Sequence, residues 1–120
     1  MMRTILKSKI YHATITDAQL YYKGSITIDE QIMREADLYE KEKVEVLNLH
    51  NGSRLETYVI KGSSGSGIIC LNGPAARMGH KGDKVVILSY GLYSEKELEQ
   101  MKTKLVELSD ENKIKNIQIV

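Results

Sequence analysis

Asn51-Gly52 lies between two runs rich in β-branched and aromatic residues, Val44 to Leu49 and Arg54 to Ile60. A type I′ turn needs positive φ at both central residues, and Asn followed by Gly accepts that geometry most readily, so the dipeptide predicts a β-hairpin. The middle of the chain is thereby committed to antiparallel strands. From Thr4 to Thr16 the residues alternate, with Ile10, His12, Thr14 and Thr16 on one face and Lys9, Tyr11, Ala13 and Ile15 on the other, the period-2 pattern of a strand. Ser25 to Ile28, Ile68 to Leu71, Lys84 to Tyr90, Leu105 to Leu108 and Ile114 to Ile119 read as further short strands. Two helices interrupt them. Asp29 caps one whose apolar stripe is Ile32, Met33, Ala36 and Tyr39 and which ends by Lys41, while Ser94-Glu95-Lys96-Glu97 is a capping box opening a polar helix to about Lys102. Gly62 to Gly67 reads as a flexible loop. Many short strands with two short helices predict a mainly β class, a barrel or a sandwich.

The chain has 120 residues, the size of one domain spanning 1–120 and too little for a separate cofactor domain. Seventeen basic residues against sixteen acidic ones give a net charge of +1. No block of like charges forms a nucleic-acid arm or a membrane-surface patch, and the absence of Trp and Phe argues against a nucleic-acid-binding barrel with stacking aromatics. The single cysteine, Cys70, excludes an internal disulfide framework. The N-terminal run Met-Met-Arg-Thr-Ile-Leu-Lys has no apolar core of a secretory signal, and no apolar run approaches the roughly 18 residues of a membrane span. A cytoplasmic protein with no membrane partner is expected.

Few residues point to chemistry individually. His12, His50 and His80 show no metal-ligand spacing, so no metal is expected. Cys70, inside an apolar strand, reads as a small buried hydrophobe rather than a nucleophile. The pair Gly-Ser occurs four times, and by itself Gly24-Ser25 is an ordinary turn. Arg54, Glu56 and Tyr58 share one strand face, with Arg54 and Tyr58 roughly 13 Å apart along it. They are either two long side chains serving one ligand or a solvated Arg and a half-buried Tyr. Asn72-Gly73-Pro74-Ala75-Ala76 reads as a tight turn into a small-residue helix start, where free N–H groups can meet an anion.

The ordered set Arg3-Thr4, Lys9-Ile10, Ala13-Thr14-Ile15-Thr16, Tyr22-Lys23-Gly24-Ser25-Ile26-Thr27-Ile28-Asp29, Asn51-Gly52-Ser53-Arg54-Leu55-Glu56-Thr57-Tyr58 and Asn72-Gly73-Pro74-Ala75-Ala76-Arg77 closely resembles the pyruvoyl-dependent aspartate 1-decarboxylase family from Arg3 to about Tyr90. The resemblance implies a six-stranded double-psi β-barrel and a proenzyme that cleaves itself between Gly24 and Ser25 into a β chain, 1–24, and an α chain, 25–120. It implies a covalent pyruvoyl cofactor derived from Ser25, with neither metal nor pyridoxal phosphate, forming a Schiff base with L-aspartate. Decarboxylation would yield β-alanine and CO₂, the β-alanine supplying pantothenate and coenzyme A biosynthesis. It nominates Gly24, Ser25 and Thr57 for processing, Tyr58 as proton donor, and Lys9, Arg54, Thr57, Asn72, Gly73, Pro74 and Ala75 for substrate binding. The implied partners are further copies of the chain, in a homotetramer with sites between subunits, and a maturation factor if processing is assisted. Two positions depart from the family pattern. Tyr11 stands where a histidine is usual, and Pro74 where a small residue is usual. The competing expectation is a non-catalytic β-barrel binding module whose Gly24-Ser25 bond stays intact.

Overall fold

The computed structural model describes residues 1–22 and 24–120; Lys23, inside the motif around Gly24-Ser25, lies outside the described residues. Nine strands and two short α-helices follow one another as β1 (Met2–Thr14), β2 (Asp17–Gln19), β3 (Ser25–Asp29), α1 (Glu30–Glu35), β4 (Lys43–Asn48), β5 (Arg54–Gly62), β6 (Ile69–Asn72), β7 (Lys84–Ser94), α2 (Glu95–Leu98), β8 (Lys104–Leu108) and β9 (Ile114–Ile119), with a 3₁₀ turn, Gly73–Met78, after β6. The strands form one sheet in the order β2-β6-β3-β5-β4-β7-β1-β8-β9.

The sheet closes on itself because β1 and β2 behave as one strand that changes partners. Ile15 N–H still bonds Asp83 O beside β7, and the next residue, Thr16, donates its N–H to Ile69 O at 2.8 Å on β6. Asp17 then pairs with Cys70 as β2 runs parallel to β6. The ring β6-β3-β5-β4-β7-β1 therefore has six strands, and β8 and β9 lie outside it, β8 parallel to β1. This is the mainly β, six-stranded barrel that the double-psi resemblance implies. Closure removes the unpaired edge that an open sheet would expose. Its core is aliphatic: Ile10, Ile15, Ile26, Ile28, Val44, Val46, Val59, Ile69, Leu71, Val85 and Ile87 are essentially inaccessible.

The hairpin forms around Asn51-Gly52, with Leu47 opposite Arg54, but its turn is not type I′. Gly52 has positive φ, 70°, and Asn51 does not, because the loop is longer, with Gly52 N–H bonding Asn48 O at 2.9 Å and Asn48 N–H bonding Ser53 O at 3.0 Å. Simple alternation in β1 does not survive. Three residues of β1 span two of β7 between Ile10↔Ile87 and Ala13↔Val85, a bulge that re-aims the strand. Ile10 and Ala13 are both buried as a result, while His12 is exposed. Asp29 caps α1 by accepting from Gln31 N–H, but the helix ends at Glu35, and Tyr39 is exposed instead of extending the stripe. Asp37 at φ 56° turns the chain out of the helix first. The capping box at Ser94 is present in full, yet α2 stops at Leu98. The segment expected to be a flexible loop is tied down. β5 extends to Gly62, and the buried Asp29 carboxylate accepts from Gly65 N–H at 2.9 Å and Gly67 N–H at 2.8 Å.

Candidate active site

Ser25 opens β3 and is 1% exposed, with φ at 122°. That backbone region is rarely adopted by a residue carrying a Cβ and costs on the order of 1–3 kcal/mol unless the surroundings impose it. The neighbours do impose it. Ser25 is register partner of Asn72 across the antiparallel β3·β6 ladder, and Asn72 Nδ2 donates to Ser25 Oγ at 3.1 Å and to Thr27 Oγ1 at 2.9 Å. Cys70 Sγ donates to Asn72 Oδ1 at 3.3 Å. Burial is the larger of two causes that push the Cys70 thiol up, the Asp17 carboxylate being the second, so the sulfur keeps its proton and remains a donor.

The turn after β6 presses on the bond preceding Ser25. Gly73 sits at φ 61°, and a Cβ there would fall 2.8 Å from Gly24 Cα and 2.9 Å from both Gly24 N and Tyr22 O. Only glycine fits this position, because both the backbone conformation and the space forbid a side chain. Beside this contact lies a cavity of about 480 Å³ bordered by Gly24, Ser25, Thr57, Tyr58, Pro74 and Ala75, with Leu55, Glu56 and Met78 completing its wall. Thr57 and Tyr58 are adjacent on β5, Thr57 half-buried and Tyr58 40% exposed at the rim.

The structure thus brings together Gly24, Ser25, Thr57, Tyr58, Asn72, Gly73, Pro74 and Ala75. Lys9 and Arg54 are elsewhere. Lys9 lies on β1 opposite Leu88 and Leu105, its ammonium 5.7 Å from the Tyr11 ring centroid. Arg54 Nη1 is bound to Glu45 Oε1 at 2.7 Å and lines a separate cavity with Leu47 and Val86, so it does not converge with Tyr58 within one chain. Sequence reasoning missed Glu45, whose carboxylate also accepts from Tyr90 OH at 3.1 Å, and missed the Thr27 and Cys70 contacts to Asn72. The only trace of the latter was the shared spacing of two in Ser25/Thr27 and Cys70/Asn72. No Lys or Arg is among the described residues lining the cavity, and its one acid, Glu56, is ion-paired with Lys43.

A barrel with a buried, conformationally strained serine beside a small-molecule cavity is the scaffold of an enzyme site. The chain belongs to the aspartate decarboxylase family, whose model matches residues 1–115. It is accordingly a carboxy-lyase, and aspartate decarboxylation is the reaction that membership brings. It is 54% identical over 117 residues to an aspartate 1-decarboxylase of Acetivibrio thermocellus, covering 98% of this chain and 93% of that one. An aspartate 1-decarboxylase of Caldicellulosiruptor bescii is 55% identical over 114 residues, with 95% and 89% covered. Among solved structures, the rationally designed mkDPBB_sym_86 protein overlays with TM-score 0.48 at 18% identity, covering 63% of this chain and 89% of that one. Among the described residues no helix is long and apolar enough to cross a membrane.

Proposed function

We propose that the chain cuts itself between Gly24 and Ser25 into 1–24 and 25–120, and that a pyruvoyl group made from Ser25 serves the conversion of L-aspartate to β-alanine and CO₂, β-alanine being the precursor for pantothenate and coenzyme A. The observation that carries this reading is Ser25 itself. It is buried, held at φ 122°, and its Oγ is hydrogen-bonded by Asn72 immediately after a glycine that the 72–74 turn clamps. In the cut, Ser25 Oγ bonds the Gly24 carbonyl carbon, the C–N bond breaks, and the hydroxyl proton ends on the freed amine. The strained φ is relieved in the same step. Thr57, bordering the cavity beside Gly24, stabilises the oxyanion formed on the Gly24 carbonyl. Elimination of the 1–24 carboxylate and hydrolysis with loss of ammonia leave the ketone.

The residues present fit such a group, since Asn72 and Thr57 offer donors to oxygens at position 25 and the cavity admits an aspartate-sized ligand. The pyruvoyl carbonyl supplies the electron sink for the pair released with CO₂. Tyr58, at the rim, returns a proton to the substrate carbon. Asn72, Gly73, Pro74 and Ala75 shape the pocket around the substrate, with Pro74 contributing no N–H.

Two substrate carboxylates entering a pocket whose described lining holds no cation would lose solvation uncompensated. Arg54, in a bidentate fork, and Lys9 supply that charge from a neighbouring subunit, in a homotetramer with sites between copies. Support for this comes from the placement of both cations away from the Ser25 cavity of their own chain. The test is intact mass of fresh protein, with fragments 1–24 and 25–120 expected. Ser25→Ala should stay full length and release no CO₂ from L-aspartate. A cleaved or active Ser25→Ala chain would overturn the assignment.

A further inference from the structure

The face of β3·β6 that carries Ser25 holds a four-residue polar square. In the antiparallel register Ser25 is opposite Asn72 and Thr27 opposite Cys70, and the strand period of two turns all four side chains to one side. The other side of the same ladder is wholly aliphatic, with Ile26, Ile28, Ile69 and Leu71 buried. We propose that Thr27 and Cys70 are positioning residues that hold the Asn72 amide with its nitrogen toward Ser25 Oγ and thereby set the rate of self-cleavage. This rests on the self-cleavage proposed above.

An asparagine amide has two ends of nearly equal shape, so its orientation is decided by its partners. Here each N–H of Nδ2 has an acceptor, Ser25 Oγ and Thr27 Oγ1, and Oδ1 has a donor, the Cys70 thiol. The two hydroxyls alone do not discriminate, because each can donate as well as accept. The thiol does. Rotating the amide would set Nδ2 against sulfur, a weak acceptor, and the raised thiol pKa keeps the proton in place for Oδ1. The orientation matters chemically. With nitrogen toward Ser25, an N–H meets the negative charge that grows on Oγ as its proton leaves. With oxygen toward Ser25, the amide would take the hydroxyl hydrogen and repel that charge.

The test follows full-length chain from cell-free synthesis, with aliquots denatured at intervals and weighed by mass spectrometry, comparing the parent with Thr27→Val, Thr27→Ser, Cys70→Ala and Cys70→Ser. Thr27→Val and Cys70→Ala should each slow cleavage about tenfold, the weight of one hydrogen bond holding the Asn72 amide. Thr27→Ser should cleave nearly as the parent does, and Cys70→Ser should fall between the parent and Cys70→Ala, because a hydroxyl still donates to Asn72 Oδ1 but also accepts from a rotated amide. A merely structural role for Cys70 predicts the opposite order, because a buried hydroxyl would disturb an apolar strand more than alanine. Parent-like cleavage of Thr27→Val and Cys70→Ala, or serine variants as slow as the apolar ones, would overturn the inference while leaving self-cleavage intact. An uncut parent chain would remove both.

Discussion

Gly73→Ala isolates the clamp on the segment proposed to be cut. Two costs combine. An L-residue at φ 61° loses about 1–2 kcal/mol relative to glycine, and a Cβ within 2.8–2.9 Å of Gly24 Cα, Gly24 N and Tyr22 O meets backbone that cannot rotate away. Forcing a methyl into such a contact adds about 1–3 kcal/mol, for a total of about 2–5 kcal/mol. At about 4 °C per kcal/mol for a chain of this size, the melting temperature should fall by roughly 8–20 °C. The kinetic effect should be larger in proportion. The displaced atoms belong to Gly24, whose carbonyl carbon Ser25 Oγ must reach, and a shift approaching 1 Å at a reacting centre costs about 100-fold in rate. Gly52→Ala is the control, since Gly52 has φ 70° but nothing within 4 Å of its would-be Cβ. It should lose about 1 kcal/mol and cleave at the parent rate. Cleavage is followed by mass spectrometry at a temperature where both variants are folded by circular dichroism. Parent-like cleavage of Gly73→Ala, or equal slowing in Gly52→Ala, would refute the argument that the 73–24 contact aligns the bond.

Tyr58→Phe keeps the ring at the cavity rim and removes its proton, so it should cleave normally yet lose at least about 100-fold in kcat for CO₂ release; an unchanged kcat would reassign the proton donor. Asp29→Ala removes the acceptor for the N–H groups of Gln31, Gly65 and Gly67 and should cost about 3 kcal/mol in chemical denaturation, with hydrogen exchange rising across 62–67. The Asp83 carboxyl is held below its usual range, first by the Asn48 side-chain amide and next by the His80 backbone N–H. A carboxyl lowered in the folded state contributes stability above its unfolded pKa, and that contribution is lost as pH falls through the folded value. Asp83→Asn should therefore melt below the parent at neutral pH, with the gap narrowing below about pH 4.

Much of the architecture was legible because it is local. The Asn51-Gly52 turn, the cap at Asp29, the capping box at Ser94 and the strand cores depend on residues a few positions apart, whose period and turn chemistry act before any tertiary contact. The strand β2, the bulge after Ile10 and the early end of α1 were not legible in that way. Each answers to a distant partner: β2 to β6, the bulge to β7, and the segment after α1 to Val59 and the strands it meets.

The candidate site divides along the same line. Sequence alone supplied the candidate residues, and only as an ordered set, since Gly24-Ser25, Thr57-Tyr58 and Gly73-Pro74 are each ordinary by themselves and resemble the family only together. Only the tertiary structure decided their geometry. The Asn72–Ser25 hydrogen bond joins residues 47 apart in the chain, and the barrel's closure through Thr16 and Ile69 places β6 against β3. It also decided that Arg54 faces Glu45 rather than Ser25. Side-chain period says which face a residue occupies, but what lies opposite that face depends on strand order and register, which follow from packing the whole aliphatic core at once.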